Sequence, residues 1–235
     1  MKFATIYGLC YGNEPTLHDR FITSLERFVP EDKADIVLWC NQLGAHSRAI
    51  VERLKSAHII LSSKNVPKYR AMREMFYKEH GPNTPWIVWF DDDSYIVNPN
   101  WWDIMTDYIS QHPDACYIGQ PWFVHHLPGQ WDFIQAATWF RGRSPEMCPT
   151  RNRAVKKPGI TFAQGAYWWL STSVMKSLDW PDPRLNHNGG DTLLGEAIRQ
   201  QGLPFHKFHT GVQINKYKRR GYTEKPAGST VDIRR

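Results

Sequence analysis

Three consecutive aspartates, Asp91, Asp92 and Asp93, stand directly behind the apolar run "WIVWF" in "TPWIVWFDDDSYIVNPNWW". Carboxylates this close repel one another unless a cation or hydrogen-bond donors offset them, so an acidic cluster at the end of a buried strand points to a hard divalent metal. Mg2+ or Mn2+ takes one or two carboxylates and shares the rest of its shell with water and phosphate oxygens, which makes a nucleoside diphosphate the matching ligand. A solvated turn is the plain alternative for an isolated D-x-D. The strand before this one and the aromatic segment after it weaken that alternative.

The elements that position the cluster are legible as hydrophobic periodicity. "FATIYGLCYG", "ADIVLWCN", "HIILSS" and "PWIVWF" read as strands. Between them lie the helical patterns "DRFITSLERFV", with Phe21, Ile22, Leu25 and Phe28 on one face, "SRAIVERLKSA", and "PKYRAMREMFYKEHG", with Pro67 in the first turn. This alternation predicts an α/β fold, a Rossmann-like, mostly parallel central sheet flanked by helices. Ligands of such sheets sit at the carboxyl ends of strands, where the aspartates fall. The second half is less regular: a helix in "NWWDIMTDYISQHP", a strand in "DACYIGQPWF", an irregular region over 125–160, a strand in "TFAQGAYWWLS" and a short helix in "TSVMKSLD". A last helix, "DTLLGEAIRQQG", has Asp191 as its expected N-cap and Gly202 as its stop.

At 235 residues and 41% hydrophobic content the chain supports one sizeable core. The longest apolar runs fall far short of the roughly 20 residues of a membrane span, and "MKFATIYGLCYGNEP" lacks a long apolar core and a cleavage site, so a cytoplasmic protein without a membrane partner is expected. Cys10, Cys40, Cys116 and Cys148 form no C-x-x-C pair, which argues against zinc and thioredoxin-type chemistry. Cys10 and Cys40 are expected to be neighbours at strand ends. The net charge of +6 is uneven: 141–157 and 216–235 each carry +5, which leaves −4 for the rest. Each segment alone reads as a solvated loop or tail; two together fit a polyanionic partner.

With these residues in place, "WFDDDSYI" resembles the D-x-D motif of the metal-dependent GT-A glycosyltransferases, in particular the Fringe and core-1 galactosyltransferase group. "FAQGAYWWLS" is similar to that group's G-G-A-G-Y-x-L-S segment, "GGDTLLGEAIRQQGL" to its acidic helix start, and "FHKFH" to its late metal-binding histidine region. Gln164-Gly165 replaces a glycine pair and Gly190-Asp191 replaces an acidic pair, so one carboxylate remains at the base position. The resemblance implies a single GT-A-like domain: a nucleotide-sugar-binding half over 1–110, an acceptor and catalytic half over 111–215, and a basic tail over 216–235.

It also implies roles. Asp93 is the direct ligand of Mn2+ or Mg2+, Asp91 lies near the ribose or a metal-held water, and Asp92 orients the donor sugar or ribose. His209 completes the metal shell, with His206 as the open alternative. Asp191 is the general base of an inverting transfer, or an ordinary helix cap. Gly165 and Ala166 bring backbone close to the donor, and Tyr7, Tyr11, Asn41, Lys68 and Arg73 surround a uracil-type nucleotide sugar. Trp168 and Trp169 offer an apolar wall to the acceptor, and Arg151, Arg153, Lys218 and Arg219 the cations for it; a core role stays open for at least one tryptophan because neighbouring strand residues face opposite ways. Concentrated cations favour a DNA acceptor, for example hydroxymethylated pyrimidine of the kind viruses make, over a glycan or lipid-linked one. A metal-dependent nuclease or phosphatase, or a non-catalytic binding module, are the competing classes; the first needs more converging carboxylates, and the second makes the aspartates dispensable.

Overall fold

The computed structural model describes residues 1–126, 129–150 and 155–214. β1 (Ala4–Tyr11), α1 (Pro15–Phe28), β2 (Ala34–Asn41), α2 (Ala45–Val51), β3 (Ala57–Ser62), α3 (Lys68–Tyr77) and β4 (Trp86–Asp91) alternate as their periodicity predicts. After them come β5 (Ser94–Ile96), α4 (Trp101–Gln111), β6 (Tyr117–His125), α5 (Gln130–Gln135), β7 (Glu146–Pro149), β8 (Lys156–Ser171), α6 (Thr172–Ser177), α7 (Gly190–Gln200), β9 (Phe205–His206) and β10 (Val212–Ile214). The region over 125–160 therefore contains a short helix and a strand among its described residues. Among the described residues no helix is long and apolar enough to cross a membrane.

The main sheet runs β3-β2-β1-β4-β8-β6-β9. β3, β2, β1 and β4 are parallel, as the helical crossovers between them require. β8 is antiparallel to β4, and β6 antiparallel to β8, so the mostly parallel expectation holds for the first four strands and gives way in the second half. Cys10 and Cys40 are direct cross-strand neighbours, both buried as free thiols.

One consequence of this topology creates the site. Trp168 pairs with both Trp89 and Gly119, and Gly159 pairs with both His125 and Glu146, so β4 and β7 share one edge of β8 while β6 takes the other. β4 pairs with Tyr167–Ser171 and β7 with Lys156–Gly159. Between them, 160–166 of β8 have no ladder partner on that edge among the described residues. The opening lies just beyond the carboxyl end of β4.

Aromatic packing holds the two halves of the sheet together. Trp169 packs in one core against Trp86, Trp101 and Trp102, with ring centroids 5.8–6.4 Å apart. Trp168, on the opposite face, stacks on Trp89 at 6.1 Å in the second core. Both are fully buried, so the expected acceptor wall is instead core: strand alternation sends one tryptophan into each layer, and neither reaches solvent. Truncating Trp169 to Ala is expected to cost about 3–5 kcal/mol in urea unfolding, the range for a large buried aromatic; a loss below about 1 kcal/mol would contradict this packing.

Candidate active site

The turn after β4 sends its three aspartates in different directions. Asp91 Oδ1 accepts from Trp89 Nε1 at 2.9 Å, and its Oδ2 accepts from Lys68 Nζ at 2.9 Å. Asp92 points inward instead, where its Oδ2 accepts the Tyr11 backbone N–H at 2.9 Å and lies 3.0 Å from His18 Nε2. Its side chain is wholly buried. Asp92 is therefore a brace between β1, α1 and the turn, which corrects its expected place beside the donor sugar. Asp93 is buried on the Lys68 side and adds to the negative potential there. Ser94 Oγ, 2.7 Å from the Asp91 carbonyl and 2.8 Å from that of Ala166, pins the turn to β8.

Lys68 opens α3 and crosses the gap. Its Nζ donates to Asp91 and, at 3.0 Å, to the Gly165 carbonyl on the unpaired stretch of β8. Burial pulls the ammonium down, but the charges of Asp191, Asp91 and Asp93 outweigh it and hold the group above its ordinary value. Three carboxylates from two separated stretches of sequence thus act on one cation.

Asp191 reaches this point because the start of α7 is fastened to α3. The Tyr69 N–H donates to the Asn186 carbonyl at 2.9 Å, and the Asp191 N–H donates to the Tyr69 hydroxyl at 3.0 Å. The Tyr69 ring also fills the space a Cβ on Gly190 would need. Burial first, then the charges of Asp191 and Asp91, push the Tyr69 phenol well above the ordinary tyrosine range, so it stays a neutral hydrogen-bonding group. The helix cap is Gly189 in the left-handed region (φ 82°), and Asp191 sits in the first turn, not at the expected cap. Its carboxylate lies against Gly165, where any Cβ would collide with it. Gly165 is therefore required by proximity.

The other expected site residues divide sharply. Tyr11 and Asn41 end β1 and β2 at the same rim; Asn41 clasps the loop after β3 through Asn65 and Val66, at 2.7–2.9 Å. Beside them, Cys40, Gln42, Leu43, Arg48, Leu61, Ser62 and Ser63 line a cavity of about 440 Å³ at the ends of β2 and β3. Tyr7 is fully buried with its hydroxyl on the His80 carbonyl, and Arg73 is spent on Asp179 and the Pro181 carbonyl. Neither faces the rim, so both leave the expected donor set. His209 packs edge-on to Tyr167 at 5.8 Å, and Tyr167 is the β8 partner of Phe90 beside the aspartates. His206 lies elsewhere, 3.0 Å from the Tyr108 hydroxyl and 3.5 Å from Asp114. Arg151, Arg153, Lys218 and Arg219 lie outside the described residues. Tyr69 and His18 are site supports that the sequence reading missed. For His18 a signal exists: it shares the helical face of Phe21, Ile22 and Leu25.

Among the described residues no three His, Cys, Asp or Glu side chains cluster as an ion-enclosing group of their own. Asp91, Asp93 and Asp191 against Lys68 nevertheless leave negative charge in excess. A donor set of one or two carboxylates, completed by diphosphate oxygens, fits Mg2+ or Mn2+ and does not need a full protein cage.

Comparison of the whole sequence with protein families gives a match to the family described as Glycosyl transferase family 2, over residues 9–179. The chain belongs to glycosyl transferase family 2. That match runs from the end of β1 through α6 and so includes Asp91 to Asp93, Lys68 and Gly165. It does not show the Fringe and core-1 group whose motifs the sequence resembles. Comparison with curated proteins finds no match. Among solved structures, this family 2 chain is similar to the mannosyltransferase PcManGT from Pyrobaculum calidifontis in complex with GDP-Man and Mn2+, at TM-score 0.63 and 13% identity over 93% of this chain. It is also similar to S. aureus TarS, at TM-score 0.56 and 15% identity over 84% of this chain. The chain spans 58% and 33% of those two proteins. At such identities the likeness shows the fold, a GT-A sheet flanked by helices.

The brace behind the site is testable without substrate. His18→Ala removes a hydrogen-bond partner of the buried Asp92 carboxylate and is expected to cost about 1.5–3 kcal/mol in denaturant unfolding. An unchanged midpoint would mean that Asp92 does not depend on His18.

Proposed function

We propose that this chain is a nucleotide-sugar glycosyltransferase that moves a sugar from a nucleoside diphosphate sugar to an acceptor hydroxyl, with inversion and with Mn2+ or Mg2+. One observation carries the reading: Asp191, on α7, lies against Gly165 within the charge field of Lys68 and Asp91, across the opening beyond β4. A carboxylate suited to the base role is thereby held beside the acidic turn.

Asp93 and His209 are the residues proposed to hold the metal, with Asp91 beside the ribose or a water. When bound, the metal offsets the charge that develops on the departing diphosphate. Tyr11 and Asn41 border the nucleoside, a uridine by the sequence resemblance, and the neighbouring cavity gives the rim depth. Lys68 faces the diphosphate. Asp191 takes the proton from the acceptor hydroxyl as its oxygen bonds to the anomeric carbon, and the electron pair of the broken glycosidic bond leaves with the diphosphate. Ala166 and Gly165 present backbone to the sugar at the edge of β8.

For the acceptor we propose DNA, with hydroxymethylated pyrimidine as the favoured target. The support is the charge distribution: Arg141, Arg143, Lys156 and Lys157 are exposed, and the β7–β8 pair that carries the lysines continues the edge on which the aspartates lie. Exposed Trp122 and Phe123 on neighbouring β6 offer faces on which an unstacked base could rest. A glycan or lipid-linked hydroxyl is the other outcome of the same experiment.

A donor screen with and without Mn2+, against hydroxymethylated DNA, plain DNA and simple glycans, tests the assignment through release of nucleoside diphosphate. Asp191→Asn is expected to lower kcat by about 10²–10⁴, the range for loss of a general base, with donor binding retained. Asp93→Ala and chelation with EDTA are each expected to abolish turnover. Full turnover after both would remove the metal-dependent mechanism.

A further inference from the structure

We infer that Lys68 is an internal counter-ion that keeps the acidic cluster from capturing a divalent metal alone, so that metal and nucleoside diphosphate are taken up together. This rests on the metal-dependent reading above and adds to it an order of assembly.

The argument begins with where the ammonium is held. Lys68 Nζ donates to Asp91 Oδ2 at 2.9 Å and to the Gly165 carbonyl at 3.0 Å, with only 13% of its side chain exposed. Its place is set by backbone as well as by charge. Lys68 begins α3 directly after Pro67, and the next residue, Tyr69, is tied to Asn186 and to Asp191 through its N–H and its hydroxyl. The backbone that carries the ammonium is therefore fixed beside the cluster, and without a donor the ammonium rests on Asp91 and the Gly165 carbonyl.

A metal ion approaching the same carboxylates meets that positive charge. The repulsion doubles for a divalent ion and grows where water is partly excluded. Lys68 thus lowers the affinity of the free protein for Mn2+ by at least about tenfold. A diphosphate reverses the balance. It brings negative charge to both cations at once, supplies metal ligands of its own, and gives the ammonium phosphate oxygens in place of Asp91.

The test measures Mn2+ binding directly, by the electron paramagnetic resonance signal of free Mn2+, without turnover. Wild type, Lys68→Met, Lys68→Gln and Lys68→Arg are titrated with Mn2+ alone and with Mn2+ plus UDP or GDP, their folding checked by circular dichroism. Gln keeps a donor for the Gly165 carbonyl, so one neutral variant preserves the tie between α3 and β8. The expected result is that a neutral residue tightens binding of Mn2+ alone at least tenfold, that Arg leaves it weak, and that nucleotide strengthens Mn2+ binding far more in wild type than in the neutral variants. Equal affinity for Mn2+ alone in wild type and the folded neutral variants, with nucleotide-dependent binding intact, overturns the counter-ion role while leaving the metal reading in place. No Mn2+ binding by any of the proteins, with or without either nucleotide, overturns both.

Discussion

The ion pair between Lys68 and Asp91 is the interaction on which the rest of the site depends. It bridges α3, the end of β4 and, through the Gly165 carbonyl, β8. Asp191 and Asp93 add their charges to the same ammonium, so elements remote in sequence meet at one electrostatic centre. Without that cation the carboxylates would repel across the opening. With it, the cluster is held together yet keeps excess negative charge, which is the condition for accepting a metal along with a diphosphate.

The sheet makes this convergence possible by being two sheets in one. The parallel half delivers the aspartates and the rim of Tyr11 and Asn41 to the carboxyl ends of its strands, the ordinary ligand edge of an α/β sheet. The antiparallel half extends β8 past the end of β4, so 160–166, which have no ladder partner on that edge among the described residues, form a second wall. Packing sets the distance between the walls: Trp168 stacks on Trp89 and Phe90 packs on Tyr167 at 4.9 Å, directly below the aspartates. Stability and site geometry therefore share residues. The tryptophans that might have bound a sugar instead fix the strands that carry the charged groups.

Much of this was legible in the sequence, because strand and helix periods are local. The four parallel strands and the acidic cluster at a strand end were foreseeable. Side-chain direction within the cluster was not. Whether Asp92 faces outward or inward depends on Tyr11 and His18, which only the fold brings to it. Tyr7 and Arg73 were misplaced for the same reason: a strand's alternation and a helix's face do not reveal which neighbour will consume a hydroxyl or a guanidinium. Trp168 and Trp169 read as a possible wall because adjacent strand positions alternate, but a strand covered on both faces buries both. The surroundings of the two histidines near the end were not legible either: the fold sets His206 beside Tyr108 and His209 beside Tyr167.

The central claim is that one donor site lies in the opening between β4 and β8, with Lys68 at its centre. A crystal structure of the chain grown with Mn2+ and UDP tests it most directly. The account predicts metal and diphosphate density between Asp93 and the Gly165 edge, Lys68 Nζ on a phosphate oxygen, and the Asp191 carboxylate facing the place of the transferred sugar. Nucleotide bound with its diphosphate away from the aspartates, or metal bound with Asp191 turned out of the opening, would contradict it.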